Sequence, residues 1–259
     1  MSERTSYAPG TPSWADLSST DVDASARFYG ELFGWTADEP EGGSDFGGYR
    51  MFTLRGKNVA GLGPAREGQP PSWSTYISVQ DVDATLDNAR GNGARVLLET
   101  LEIAKAGRMA AFSDAVGAPL SLWEPGEHIG AELVNEPGTL CWTELACRDT
   151  DVAEAFYKEV FGWGARTETT GGAPYTQWVV DDRNVGGMLT MGSEWPAEVP
   201  AHWTTYFAVE NADSAVAKAV ELGGKKLIPP MTLPVGRFCM LADDQGAAFS
   251  VIALNDPDE

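Results

Sequence analysis

The sequence predicts an α+β fold of two tandem domains, each with a curved mixed sheet around a cup. Three observations predict it: a repeat that spans the chain, a weaker repeat inside each half, and one order of elements in every quarter. That order is strand, helix, strand, strand, strand, written βαβββ below. Each half therefore consists of two paired βαβββ modules, and the inner face of their joint sheet is left for a ligand or for packing.

The long repeat relates residues 9–35 to residues 137–163 with a shift of 128 positions, and thirteen of the 27 pairs are identical. The phrase FYGELFGW, which begins at Phe28, returns as FYKEVFGW from Phe156. Later segments match with small gaps: YRMFTL with YTQWVV, NVAGL with NVGGM, and GRMAAFSD with GRFCMLAD. We expect an N-terminal domain over residues 1–127, a linker over 128–136 and a C-terminal domain over 137–259.

The elements of the first quarter follow from local patterns. WADLSS alternates as a strand does, and Asp21 is a suitable N-cap for the helix after it. Phe28 and Phe33 fall on one helical face, and Gly34 suits a left-handed C-cap. A short strand near Trp35 and the strands YRMFTLRG and KNVAGLGP complete the module, with a hairpin turn expected at Gly56-Lys57.

The weaker repeat extends this order to the other quarters. DVDASARFY at Asp21 resembles DVDATLDNA at Asp81, and DTDVAEAFY at Asp149 pairs with NADSAVAKA at Asn211. The glycine-rich stretches at residues 41–48 and 169–174 are expected to be flexible loops over the cup mouths.

Composition excludes several classes of function. The net charge of −20 repels phosphate backbones and anionic membranes, so we expect neither nucleic acid nor a membrane as partner. No apolar run reaches membrane-spanning length and no signal peptide is visible. Three cysteines without CxxC spacing favour reduced thiols in the cytoplasm. A monomer is favoured over a homodimer, because each domain pairs its own modules.

Paired βαβββ modules with the pattern D-x-D-x-x-x-x-F-Y-x-x-x-F-G-W resemble the vicinal oxygen chelate superfamily. Its members include glyoxalase I, extradiol dioxygenases, fosfomycin-resistance enzymes and bleomycin-binding proteins. The resemblance covers nearly the whole chain, which is most similar to bacterial two-domain glyoxalase-like proteins. It implies two tandem glyoxalase-like domains, and it says almost nothing about the reaction.

The resemblance also implies where a metal would be held. Members with chemistry bind a divalent metal in the cup through three strands, typically with histidine, histidine and glutamate. The corresponding positions here are Trp14, Ser74 and Ser121 in the first half and Trp142, Thr204 and Ser250 in the second. Tryptophan cannot ligate a metal and neutral hydroxyl groups are poor ligands. We therefore expect no cofactor, with a divalent metal as the alternative.

Two carboxylates also belong to the predicted cups. Asp16 and Glu144 correspond under the repeat, and each lies two residues past a cup-lining tryptophan, so strand alternation puts them on the inner face. Each is either a ligand anchor or general base, or a partner in an internal ion pair or hydrogen bond, for which Arg108 and Arg237 are candidates. An off-pattern metal held by Glu144 and His202 is a further alternative.

Three hypotheses about function follow. The main one is metal-independent binding of a small aromatic or apolar molecule, for sequestration, resistance or sensing, with stacking on Trp14 and Trp142 and polar contacts from Tyr76 and Tyr206. The alternative is a glyoxalase- or dioxygenase-like enzyme that uses Asp16 or Glu144 as acid–base or with an atypical metal. The third is a scaffold whose cups are filled by their own side chains.

Overall fold

The structure is a computed structural model that describes residues 3–38, 47–170 and 173–255. In chain order its elements are β1 (Pro12–Ser19), α1 (Val22–Phe33), β2 (Thr36–Ala37), β3 (Arg50–Leu54), β4 (Lys57–Pro64), β5 (Ser72–Ser78), α2 (Val82–Gly91), β6 (Arg95–Ile103), β7 (Gly107–Ser113), β8 (Pro119–Pro125), β9 (Leu140–Cys147), α3 (Thr150–Phe161), β10 (Gly164–Thr170), β11 (Ala173–Val180), β12 (Arg183–Thr190), β13 (His202–Ala208), α4 (Ala212–Glu221), β14 (Lys225–Leu233), β15 (Gly236–Ala242) and β16 (Ala248–Leu254).

Each half of the chain forms one eight-stranded mixed sheet. The orders are β2-β3-β4-β1-β5-β8-β7-β6 and β10-β11-β12-β9-β13-β16-β15-β14, so the two halves share one topology. The first strands of the two modules pair antiparallel at the centre, and each pairs in parallel with the last strand of its own module. The predicted α+β class and the paired βαβββ modules are confirmed.

The long helices begin and end at the residues that the repeat predicts. Asp21 accepts a hydrogen bond from the main-chain N–H of Ala24, and Asp149 does the same for Val152. Gly34 ends α1 with φ of 74°, a left-handed conformation that only glycine adopts without strain. The helix bounds are therefore set by local capping chemistry.

The main cores lie between the two halves. One cluster joins Leu17, Phe28 and Phe52 of the first half to residues of β13, β15 and β16, such as Phe249. The other joins α2, β7 and β8 to α3 and β12. Each helix thus packs its apolar face against these shared cores, while the opposite face of each sheet forms a cup.

The repeated phrase FYxExFGW connects the halves. The indole N–H of Trp35 donates to the carbonyl oxygen of Gly138 at 2.7 Å, and that of Trp163 donates to Gly10 at 2.8 Å. The two tyrosines of the phrase reach across as well: the Tyr29 hydroxyl donates to Asp243 and the Tyr157 hydroxyl to Asp114. The phrase occurs twice because each copy contributes the same buried contacts to the other half.

Two local predictions need correction. The first hairpin turns at Arg55-Gly56, one residue earlier than expected, because both residues have the positive φ that the tight turn requires and Leu54 pairs with Lys57. Residues 169 and 170 pair with 174 and 173, so these four residues of the predicted flexible loop belong to strands β10 and β11.

Residues 41–46 and 171–172 of the two predicted glycine-rich loops lie outside the described residues. Within the described ranges, no helix combines the length and apolar character needed to cross a bilayer.

Candidate functional site

The residues that the sequence assigns to the cups lie together on three adjacent central strands. In the first sheet Trp14 pairs with Tyr76, Asp16 pairs with Ser74, and Tyr76 pairs with Ser121. The second sheet repeats this arrangement with Trp142, Glu144, Thr204, Tyr206 and Ser250. Cα partners across a sheet present their side chains on the same face, so each set forms one surface.

In the first cup the Asp16 carboxyl group is held by tyrosines. The Tyr76 hydroxyl donates to Oδ2 of Asp16 at 2.8 Å, and the Tyr49 hydroxyl is a second donor. The indole N–H of Trp14 in turn donates to Oη of Tyr49 at 3.1 Å. The four side chains form one chain of hydrogen bonds from indole to phenol to carboxyl to phenol.

The second cup contains the same network around Glu144. The Tyr206 hydroxyl donates to Oε1 of Glu144 at 2.8 Å, and Tyr175 is the second donor. The indole N–H of Trp142 donates to Oη of Tyr175 at 2.9 Å. Asp16 and Glu144 differ by one methylene group, yet both carboxyls find the same partners, so the network is a shared feature of the halves.

Sequence reasoning did not identify Tyr49 and Tyr175. The repeat carries their signal, because each opens one of the matched strings YRMFTL and YTQWVV. Glycines opposite them provide the space: a Cβ at Gly61 would lie 1.8 Å from Oη of Tyr49, and one at Gly187 would lie 1.9 Å from Oη of Tyr175. These glycines are needed for close approach of a side chain and not for a turn.

Burial dominates the electrostatics of both cups. It raises the pKa of Asp16 from 3.8 to about 6, against the opposing effect of the hydrogen bonds from Tyr76 and Tyr49. Burial also raises the pKa of Glu144. The pKa values of Tyr76 and Tyr206 lie well above their usual range, first through desolvation and then through the neighbouring carboxyl. The phenols therefore stay protonated as donors, while Asp16 titrates just below neutral pH.

The predicted arginine partners are wrong. Arg108 pairs with Glu124 at 3.1 Å and with Asp83, and Arg237 pairs with Asp213 at 2.8 Å. Both arginines bond to acids near their own strand, so phenol donors take the place expected for a guanidinium. The sequence also allows a hydrogen bond inside the cup as an alternative to an ion pair. The structure contains this hydrogen bond.

The residues present do not fit the implied metal. The carboxyl group of each cup is already bonded to two neutral phenols, and its neighbours at the three expected positions are an indole and hydroxyl groups. Nδ1 of His202 lies 2.9 Å from the carbonyl oxygen of Pro200, and Glu144 pairs in register with Thr204. In the described part of the chain no three His, Cys, Asp or Glu side chains cluster.

The linker covers the first cup. The His128 ring packs edge-on against Trp14 with centroids 4.6 Å apart, and the Trp123 indole N–H donates to the carbonyl oxygen of His128 at 2.8 Å. Ala131 and Val134 complete a buried cluster with Trp14, Tyr76 and Trp123. Only 3% of Trp14 is exposed as a result. Burial lowers the pKa of His128 to about 4, so the ring is neutral at physiological pH.

A cleft of about 700 Å³ lies at the corresponding edge of the second half, between the first residues of β9 and β12, and Trp142 lines it. Trp142 is partly exposed, whereas its counterpart Trp14 is buried. The N-terminal segment around Tyr7 forms the opposite wall. The two halves therefore share a network but differ in the exposure of its tryptophan, and Trp142 is the member of the second network that lines the cleft.

Known relatives match the chain along nearly its whole length. The Mycobacterium tuberculosis protein CFP32, which carries a provisional glyoxylase name, is 45% identical over 261 residues, covering 97% of this chain and 98% of that protein. The anthracycline biosynthesis protein DnrV of Streptomyces peucetius is 36% identical over 270 residues, covering 97% and 96%.

Solved structures show the same fold at low identity. The Mn(II)-bound glyoxalase of Novosphingobium aromaticivorans has a TM-score of 0.64 at 15% identity, covering 100% of this chain and 86% of that one. The 2,2',3-trihydroxybiphenyl 1,2-dioxygenase of Sphingomonas wittichii has a TM-score of 0.65 at 14% identity, covering 97% and 94%.

Two family descriptions match the chain. Residues 14–123 match the glyoxalase-like domain, and residues 127–257 match the glyoxalase/bleomycin resistance protein/dioxygenase superfamily. The chain therefore belongs to the glyoxalase/bleomycin resistance protein/dioxygenase superfamily, with one domain of this kind in each half.

Proposed function

We propose that the protein binds a small aromatic or apolar molecule in its C-terminal cup without the help of a metal. The observation that carries the proposal is the contrast between the two tryptophans of the repeat. Trp14 is covered by the linker, whereas Trp142 lines a cleft of about 700 Å³, a volume typical of small-molecule sites. An indole held in place and partly exposed is a suitable stacking surface for a flat ligand.

The hydrogen-bond network fits such a role. The indole N–H of Trp142 donates to the hydroxyl of Tyr175, so the ring is oriented before a ligand arrives. Glu144 and Tyr206 lie on the same face of the sheet, buried and bonded to each other at 2.8 Å, and support this arrangement from outside the lining of the cleft. A preorganised aromatic surface loses little conformational entropy when it binds.

Two similarities support this ligand class. DnrV, which is 36% identical, is named for the biosynthesis of anthracyclines, which are flat polycyclic aromatic compounds. The dioxygenase of similar fold is named for 2,2',3-trihydroxybiphenyl, another aromatic compound. The Mn(II)-bound glyoxalase shares the fold, but the indole, hydroxyl and phenol groups at the corresponding place here are not metal ligands of that kind.

The proposal is tested with 2-naphthamide, a neutral aromatic probe. Titration calorimetry and tryptophan fluorescence are expected to show saturable binding that survives dialysis against EDTA and does not tighten with added Mn²⁺ or Zn²⁺. Trp142→Ala is expected to weaken binding at least about 10-fold, since the variant loses the stacking surface.

Trp14→Ala is the matched control, because the linker covers that ring. It is expected to change stability but to leave the affinity for 2-naphthamide within about 2-fold. Absence of saturable binding, or binding that requires a divalent metal, would overturn the proposal.

A second candidate is proton transfer to or from a bound ligand. The observation that favours it is the pair of buried carboxyls whose pKa values are raised, because a general base with a pKa near the working pH is effective. Two assays test this candidate: conversion of methylglyoxal in the presence of glutathione, and exchange of a substrate proton with D₂O. If either reaction occurs and Glu144→Gln abolishes it, the protein is an enzyme and not a simple binding protein.

A further inference from the structure

We infer that the cleft beside Trp142 recognises an aromatic ligand through a carboxylate, which binds between the first residues of β9 and β12. This inference rests on the proposed function. It specifies the polar group that the aromatic ligand carries. It is drawn from the symmetry of the chain, because the same slot in the first half is filled by the chain itself.

The occupied slot shows what its walls bind. The main-chain N–H of Glu132 donates to the carbonyl oxygen of Asn58 at 2.7 Å, and the main-chain N–H of Asn58 donates to Oε2 of Glu132 at 2.8 Å. Ala131 donates its N–H to the carbonyl oxygen of Ser13 at 2.8 Å. Lys57 Nζ lies 3.9 Å from Oε1 of Glu132. The slot between the first residues of β1 and β4 thus holds a carboxylate on the Asn58 N–H with a cation nearby, and its two carbonyl groups accept the main-chain N–H groups of the segment that fills it.

The walls of the second slot have the same makeup. Under the repeat Ser13 corresponds to Cys141, and the strings KNVAGL and RNVGGM align Lys57 and Asn58 with Arg183 and Asn184. Asn184 pairs with Val179 as Asn58 pairs with Thr53, so the main chain keeps its register. Cys141, Arg183 and Asn184 all line the cleft.

No segment of the described chain occupies this second slot as Glu132 occupies the first. The N-terminal segment passes nearby, but the N–H of Arg4 donates to the carbonyl oxygen of Glu132 at 2.8 Å and not to β12. The two halves therefore differ at this slot. The slot of the first half is filled by the chain, and the slot of the second half forms part of the cleft.

Charge favours an anion in the cleft. Arg4 and Arg183 both line it, and among the described residues neither has a carboxylate within salt-bridge distance. Asp181 is the acidic side chain in the lining, and it is exposed. Two arginines beside the main-chain N–H of Asn184, the counterpart of the Asn58 N–H, form a favourable site for a carboxylate, even in a protein with a net charge of −20.

The carboxylate position also suits the aromatic part of the ligand. Cys141 and Trp142 are consecutive in β9 and both line the cleft, so the slot and the indole lie within the reach of one small molecule. A ligand with a carboxylate on a fused aromatic ring reaches both features at once. The ligand class is therefore an aromatic carboxylate.

The test compares 2-naphthoate with 2-naphthamide, which has the same shape but no charge. Calorimetry on the full-length protein at pH 7.5 is expected to give at least about 10-fold tighter binding of 2-naphthoate. Arg183→Gln is expected to remove that preference while leaving the affinity for 2-naphthamide unchanged, because the uncharged probe does not use the guanidinium. The preference is also expected to shrink in high salt.

Lys57→Gln is the matched control, because its slot is filled by Glu132, and it is expected to leave the preference intact. Equal affinities for the two probes, or a preference that persists in Arg183→Gln, would overturn this inference while leaving the proposed function in place. Absence of binding of both probes would contradict the proposed function and the inference together.

Discussion

At the scale of single residues, each cup is organised by a carboxyl group whose partners are neutral. Strand alternation in the sequence was sufficient to place Asp16 and Glu144 on the inner faces, because side chains alternate strictly along a strand. It could not identify Tyr49, just before β3, and Tyr175 of β11, which meet the carboxyls across the intervening strands β4 and β12. Their partners Gly61 and Gly187 are visible in the sequence, but a glycine in a strand does not say which side chain needs the space.

The raised pKa of Asp16 makes stability depend on pH. The folded protein holds this proton with a pKa of about 6 against an ordinary value of 3.8, so folding is favoured when the carboxyl is protonated. The folded state loses that advantage as the pH rises from about 4 through 6. At about 1.36 kcal/mol per pKa unit, the free energy of unfolding falls by up to about 3 kcal/mol over this window.

Asp16→Asn is expected to abolish that part of the pH dependence, since the amide does not titrate. Urea unfolding at several values between pH 4 and pH 7 measures it as the difference between wild type and variant. Glu210→Gln, at an exposed site, serves as control and should follow the wild type. Parallel curves for wild type and Asp16→Asn would show that the carboxyl titrates as it does in the unfolded chain.

At the scale of elements, the linker determines how the two cups differ. The sequence shows a segment rich in turn formers between the halves, and this pattern predicts a connection and nothing more. Its packing over Trp14 depends on contacts between residues far apart in the chain, such as the bond from the Ala131 N–H to Ser13. His128 of this segment packs against Trp14.

Glu132 is expected to contribute measurably to stability through its side chain. Its carboxylate accepts the main-chain N–H of Asn58, and Glu132→Ala leaves that donor without its partner at a cost of about 1 to 3 kcal/mol. Urea unfolding measures the loss, with the exposed Glu127→Ala as control. If both variants unfold at the same urea concentration, the linker carboxylate contributes nothing to closing the first slot.

At the scale of the whole molecule, the repeat predicts two halves of equal topology, and the structure has them. The repeat does not show that the halves share their cores, because an apolar helix face in a sequence does not name the surface that covers it. In the structure α1 packs with α4 and α2 with α3, so each cluster draws residues from both halves. The two sheets are thus two layers of one packed body.

This shared packing predicts one cooperative unfolding transition. Leu17 of the first half and Phe249 of the second belong to the same buried cluster, so removing either side chain weakens the whole body. Leu17→Ala and Phe249→Ala are each expected to lower the free energy of unfolding by about 2 to 5 kcal/mol. Circular dichroism and tryptophan fluorescence should trace the same single curve during urea unfolding of the full chain, for wild type and for both variants. Two resolved transitions, with each variant shifting only the one that belongs to its own half, would mean that the halves fold independently and that the interface between them adds little.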